Sequence, residues 1–151
     1  EEKESIIKKI NPNSNQKVYF SRIKYGKICP LQSENNLLNF SDLESKNTLL
    51  LTGIANPLPL LNHLNNHSIN PLHLKFPDHH NFSKKDIQKI SSTFDKMEGK
   101  NKILLTTEKD AMRLKSINEL QNLPIYYQEI EIEIIDNSDE FNNSILQYIN
   151  N

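Results

Sequence analysis

Glycine is scarce in this sequence. Only Gly26, Gly53 and Gly99 occur among 151 residues, too few and too scattered for the glycine-rich turn that wraps backbone N–H groups around a nucleotide phosphate. Gly99 is followed by Lys100, but Asn101 then stands where a phosphate loop needs a Ser or Thr hydroxyl for magnesium. The sequence therefore carries no phosphate cradle of its own. A single cysteine, Cys29, excludes an intramolecular disulfide and a multi-thiolate zinc site, and fits a reducing cytoplasm. The longest apolar stretches, such as residues 48–54 with Gly53 inside, are far shorter than a bilayer requires, and the first residues lack the apolar centre of a signal peptide. No transmembrane segment is expected. Neither sign of charge is in excess: 18 Lys plus Arg against 19 Asp plus Glu leave a net charge of -1, no field to attract nucleic acid, and so no nucleic-acid partner. An initiator Met is also lacking, and the chain opens Glu1-Glu2. The expectation is a chain that is either no nucleotide enzyme or a fragment of one.

What is present is ordinary for a globular domain. With 36% hydrophobic and 25% charged residues, a chain of this size can bury roughly 70% of its unfolded surface without metal or disulfide staples. Residues 2–10 read as an amphipathic helix with Ile6, Ile7 and Ile10 on one face, stopped by Asn11-Pro12-Asn13. Residues 17–25 alternate like a strand, which Gly26 is expected to end, and residues 27–46 read as a linker or edge hairpin. Regular alternation follows: strand 48–54, helix 57–67, strand 71–76, a helix capped by Ser83 with Asp86 three residues on and stopped by Gly99, strand 102–107, and a helix holding Ala111, Met112 and Leu114. Strand–helix repetition of this kind implies a parallel sheet with right-handed crossovers. Glu129, Glu131 and Glu133 alternate with Ile130, Ile132 and Ile134 in a return strand over 125–135, expected at an edge with one wet face, and a terminal helix follows over 138–150. The fold class is thus α/β: a Rossmann-like three-layer domain with a mostly parallel sheet, an edge or linker β-hairpin and a C-terminal helix. The domain boundary is expected between 46 and 47, leaving 47–151 as the compact unit.

In an open parallel sheet, ligands bind beyond the carboxyl ends of the strands. Three segments occupy that position: Thr52-Gly53-Ile54-Ala55-Asn56-Pro57, Phe76-Pro77-Asp78-His79-His80, and Thr106-Thr107-Glu108-Lys109-Asp110 with Arg113 beyond. Asp78 and His79 are the reactive pair, because an imidazole carries protons near neutrality and a neighbouring carboxylate can hold the ring; the opposing view makes Asp78 a turn cap and both histidines solvated. Thr107 is placed to cap a helix. Lys109 and Arg113 either present charge to a phosphate or pair with Glu108 and Asp110 on a solvated face. Gly53 and Asn56 suit a tight turn before a helix that opens with Pro57. A metal site would need Asp78, His79 and His80 to join His73 or the i,i+4 pair His63 and His67, but no HExxH glutamate or Asp-x-Asp pair accompanies them, and no metal ligand is assigned.

In order and spacing, the runs Leu50-Leu51-Thr52-Gly53-Ile54-Ala55-Asn56-Pro57, Phe76-Pro77-Asp78-His79-His80-Asn81-Phe82 and Leu105-Thr106-Thr107-Glu108-Lys109-Asp110-Ala111-Met112-Arg113-Leu114 resemble the C-terminal half of the tetraacyldisaccharide 4'-kinases, the lipid A 4'-kinases. Lys17-Val18-Tyr19-Phe20-Ser21 resembles the segment leading out of their N-terminal domain, so the likeness spans nearly the whole chain. The resemblance implies a kinase that moves the γ-phosphate of ATP, with Mg2+, to the 4'-hydroxyl of a disaccharide lipid, in the cytoplasm and peripheral to a Gram-negative inner membrane. It makes residues 1–46 the end of a missing N-terminal P-loop domain plus an interdomain linker, built from the strands around Val18 and Ile132. It gives His79, beside Asp78, the task of working with an aspartate of that domain on the attacking hydroxyl. It places Asn56, Thr107, Glu108, Lys109, Asp110 and Arg113 along the substrate and nucleotide cleft, and gives His80 no role. The chain alone is then expected to bind no cofactor strongly and to be inactive. A non-catalytic Rossmann-like binding module and a metal-dependent phosphoesterase are the competing readings.

Overall fold

The computed structural model describes residues 2–33 and 35–150; the outer ends Glu1 and Asn151 of the expected domain ranges, and Glu34 of the expected linker, lie outside them. The elements in chain order are α1 (Glu2–Ile10), β1 (Ser21–Pro30), α2 (Phe40–Glu44), β2 (Asn47–Thr52), α3 (Leu58–Asn66), β3 (Leu72–Lys75), α4 (Lys84–Lys96), β4 (Lys102–Thr107), α5 (Glu108–Leu114), β5 (Ile125–Ile134) and α6 (Ser138–Ile149). The sheet order is β1-β5-β4-β2-β3. Pairs β2–β3, β2–β4 and β4–β5 are parallel. Hydrogen bonds from Leu31 N to Ile125 O and from Ile135 N to Phe20 O set β1 antiparallel to β5.

The chain divides into two compact units, residues 25–130 and residues 1–24 with 131–151. The larger has a core on each sheet face, because side chains of a strand alternate. Leu49, Leu51, Leu74 and Leu104 pack with Ile90 and Phe94 of α4 and with Ala111 and Leu114 of α5. Leu50, Ile103 and Leu105 pack on the other face with Leu60 and Leu64 of α3, Leu43 of α2 and Ile28. This is the three-layer α/β arrangement. From β2 the chain crosses to β3 on one side, then returns past β2 to β4 on the other, so the strand order switches between the carboxyl ends of β2 and β4.

Three expectations are corrected. Gly26 does not end β1 but lies inside it: a Cβ there would meet Glu129 Oε2 at 2.6 Å, and the bare backbone lets the Glu129 carboxylate accept from Lys27 N. Residues 27–46 are no simple linker, since Ile28 and Leu43 are buried and Ile28 bridges Leu38; the boundary expected at 46/47 falls inside the larger unit. The strand β5 is interior rather than at an edge, because β1 covers its far side.

The smaller unit is built differently. It comprises α1, α6, the first part of β1 and the last part of β5. Its contacts include the ion pairs Lys3–Asp136, Lys17–Glu140 at 2.7 Å, Arg22–Glu133 at 2.5 Å and Lys24–Glu131 at 3.1 Å, and Tyr19 meets Phe141 edge-on. Exposed ion pairs of this kind contribute little to stability. None of its described residues is buried, and Ile10, Ile132, Ile145, Leu146, Tyr148 and Ile149 are all exposed.

The N-terminus of α4 is closed as its sequence predicts. Ser83 Oγ accepts from Asp86 N, Asp86 Oδ2 accepts from Ser83 N at 2.8 Å, and the same oxygen meets His80 Nε2 at 3.0 Å. The Ser83 hydroxyl and backbone N–H, followed by His80, hold the Asp86 carboxyl down at about 2, against 3.8 in an unfolded chain. A carboxylate with a depressed folded pKa stabilises the fold above its unfolded value and loses that contribution as pH falls through the folded one. Asp86→Asn should therefore lower stability at neutral pH and flatten the loss of stability between about pH 4 and pH 2. Urea unfolding across that range checks this, and an unchanged acid slope would contradict it.

Candidate functional site

At the carboxyl ends of β2 and β4 a single carboxylate ties three segments together. Asp110 has no exposed surface. Its Oδ2 accepts from Gly53 N at 2.8 Å and from Thr107 Oγ1 at 2.8 Å, and its Oδ1 accepts from Arg113 Nη1 at 3.3 Å. Thr107 Oγ1 in turn accepts from Asp110 N, capping α5. A bare backbone at residue 53 leaves this carboxylate room, because a Cβ would lie 3.0 Å from Asp110 Oδ1 and 3.4 Å from the Pro77 carbonyl oxygen, both tight approaches.

The second layer of the site comes from the loop after β3. Asp78 Oδ1 accepts from Lys109 Nζ at 3.0 Å, and this ammonium is the main cause of a carboxyl pKa below the ordinary range. His79 takes a left-handed backbone, φ 56°, which costs a non-glycine residue about 1 kcal/mol. Its Nδ1 lies 3.3 Å from Arg113 Nη2 and its Nε2 3.4 Å from Lys109 Nζ. The ring remains 73% exposed, so it meets whatever approaches this end of the sheet. Lys109 and Arg113 thus pair with Asp78 and the buried Asp110, not on the solvated face that was one of the two readings of their spacing.

His80 belongs elsewhere. It is half-buried, stacks on Phe76 with ring centroids 4.9 Å apart and meets Asp86, so it builds the α4 N-terminus and is not a solvated loop residue. His73 Nε2 lies 2.8 Å from Thr52 Oγ1. His63 stacks on Tyr25 and His67 on Phe40, and burial lowers the His63 pKa. His63 and His67 neighbour each other, with ring centroids 4.6 Å apart, but among the described residues no group of three His, Cys, Asp or Glu side chains is arranged to hold a metal ion. Asn56 is exposed and its Oδ1 accepts from Leu58 N at 3.2 Å, an Asx turn that opens α3. Glu108 starts α5. A hollow of about 840 Å³ along α5, lined by Cys29, Leu31, Met112 and Tyr127, includes none of the sequence-predicted site residues.

Sequence reasoning grouped the three loops, and the structure brings Asp78, His79, Lys109, Asp110 and Arg113 into one cluster. It missed Gly53 as the backbone donor to Asp110. A signal was present: Thr107-x-x-Asp110 has the same capping spacing as Ser83-x-x-Asp86, which marks Asp110 as facing back to its strand.

The larger unit is a doubly wound α/β domain with a histidine, two cations and two carboxylates at its switch point, the place where open sheets of this kind bind ligands. Comparison with known proteins gives it a lineage. The family model for tetraacyldisaccharide-1-P 4'-kinase matches residues 2–150, and the chain belongs to that family. It is 40% identical to the tetraacyldisaccharide 4'-kinase of Bacteroides thetaiotaomicron over 95% of this chain and 41% of that protein. It is 35% identical to the corresponding protein of Flavobacterium johnsoniae over 99% of this chain and 41% of the relative. Among solved structures, the "apo" form of LpxK from Aquifex aeolicus in complex with ATP aligns over 90% of this chain and 38% of that one, with a TM-score of 0.56 at 14% identity, a likeness of fold. The chain spans about 40% of the length of the curated relatives it matches.

Removing the central carboxylate takes their acceptor from Gly53 N–H, the Thr107 hydroxyl and Arg113 Nη1. Asp110→Ala should cost about 3 kcal/mol, and Gly53→Ala, which crowds the same oxygen, about 1–2 kcal/mol. Combined, the two should cost less than their sum, because they act on one contact. Chemical denaturation of the three variants checks this; full additivity would show that Gly53 and Asp110 act apart.

Proposed function

We propose that this chain supplies the C-terminal half of an ATP-dependent lipid kinase that transfers the γ-phosphate to the 4'-hydroxyl of a tetraacyldisaccharide 1-phosphate in lipid A biosynthesis, and that it is inactive alone. The observation that carries the reading is the cluster of Asp78, His79, Lys109, Asp110 and Arg113 at the switch point, joined to family membership over residues 2–150. The remaining part of the protein, about 60% of the length of the relatives, would hold ATP and Mg2+ and supply the aspartate that works with His79. The smaller unit supports this: with none of its described residues buried and an apolar surface that includes Ile132, Ile145, Tyr148 and Ile149, it has too little hydrophobic burial to stand by itself. In the whole protein those side chains pack on the rest of the polypeptide, and β1 and β5 carry the chain between the two domains.

Phosphoryl transfer asks a protein for positioning and charge stabilisation more than for covalent chemistry. In this reading His79, with Asp78 beside it, engages the attacking hydroxyl, while Lys109, Arg113, Glu108, Thr107 and Asn56 line the cleft toward substrate and nucleotide. The reaction belongs to the cytoplasmic side of a Gram-negative inner membrane, with the protein held at its surface. Among the described residues no helix is long and apolar enough to cross a membrane.

The left-handed backbone of His79 makes the test sharp. In the longer protein, His79→Ala and His79→Gly should each lower turnover at least about tenfold, or roughly 1.4 kcal/mol of transition-state stabilisation. His79→Gly should also leave stability unchanged or raise it by up to about 1 kcal/mol, since glycine adopts this conformation without strain. Turnover of the disaccharide lipid and thermal unfolding are the measurements. Unchanged turnover in both variants would remove His79 from the reaction, and turnover by the isolated chain would refute its dependence on the rest of the protein.

A further inference from the structure

We infer that Arg113, held by the buried Asp110, is a positioning residue that keeps the His79 ring in its Nε2–H tautomer, so that this histidine offers a hydrogen-bond donor to its reaction partner rather than a free lone pair. This rests on the kinase reading only for what the donor is used for.

The argument is one of donors and acceptors. A neutral imidazole has one N–H and one lone pair, and the ring here is faced on both sides by groups that only donate: Arg113 Nη2 at Nδ1, 3.3 Å, and Lys109 Nζ at Nε2, 3.4 Å. Only one of these contacts is a hydrogen bond. Lys109 has a better acceptor in Asp78 Oδ1 at 3.0 Å, and that ion pair occupies it. Among the described residues, Arg113 Nη2 meets no acceptor other than the His79 ring. Its Nη1 donates to Asp110 Oδ1, and Asp110 is itself fixed by Gly53 N and Thr107 Oγ1. The guanidinium is planar and always charged, so anchoring one nitrogen aims the other. The lone pair therefore sits at Nδ1, accepting from Arg113, and the proton sits at Nε2. With the ring 73% exposed and Asp78 Oδ2 3.7 Å from Nε2, the Nε2–H is open to a stronger acceptor. In the proposed enzyme that acceptor is the carboxylate of the remaining part, which a donor histidine would orient and hold ionised for the attacking hydroxyl.

Two readouts test this. In long-range proton–nitrogen spectra of the 15N-labelled chain above neutral pH, His79 should show an unprotonated Nδ1 whose resonance is displaced by accepting a hydrogen bond. Arg113→Met should move that resonance to the position of an exposed imidazole. Arg113→Lys, which keeps a charge near Asp110 but loses the fork, should not restore it. The signals of His63, His67, His73 and His80 serve as internal controls for folding and should not move. In the longer protein, both variants should lower kcat about tenfold, within the range for placing one proton-handling group, with KM changed less than about twofold. A protonated Nδ1 in the unsubstituted chain, or an unmoved resonance in both variants, would overturn the inference, as would a rise in KM at constant kcat. Absence of any transfer by the unsubstituted longer protein would instead remove the kinase reading and leave the tautomer result standing.

Discussion

The Asp110 carboxylate is fully buried at the point where β2, β4 and α5 meet, and the turn after β2, the start of α5 and the Arg113 guanidinium are all held by it. A buried carboxylate is costly to desolvate, and here the cost is offset by a backbone N–H, a hydroxyl and a guanidinium. Each of these partners fixes one part of the site. Gly53 N–H sets the turn leaving β2, Thr107 caps α5, and Arg113 is aimed at the loop after β3. Lys109 leaves the same helix and holds Asp78. The two long side chains, four residues apart on α5, thus grip the Asp78-His79 turn from opposite sides of the imidazole.

That arrangement separates what is rigid from what is exposed. The anchor has no exposed surface, while the imidazole that Arg113 meets is open. His79 also holds a strained backbone, φ 56°, in a turn where glycine would be less costly. The smaller unit has the opposite character, with ion pairs along its surface and none of its described residues buried.

Much of the fold was legible because its signals are local. Unbroken apolar runs at Leu49-Leu50-Leu51 and Ile103-Leu104-Leu105 mark strands covered on both faces, and the Ser83–Asp86 spacing marks the start of α4. What the sequence concealed depends on neighbours far along the chain. Gly26 reads as a stop until Glu129 is seen to fill the space above it. The alternating glutamates of β5 read as an edge, though β1 pairs beyond them with basic residues such as Arg22 and Lys24 opposite Glu133 and Glu131. In the site, the three loops were legible as a group from topology alone. The contact between His79 and Arg113 was not, because it joins residues 34 positions apart and depends on the burial of Asp110 in a stretch rich in charge.

The central claim is that this chain is the C-terminal half of a two-domain kinase, with a cleft that another part of the polypeptide completes. Sequencing the coding DNA immediately upstream of Glu1 tests it most directly. The account predicts an in-frame extension that carries a phosphate-binding loop ending in Lys and Ser or Thr. A start codon directly before Glu1 would contradict it and leave a stand-alone module.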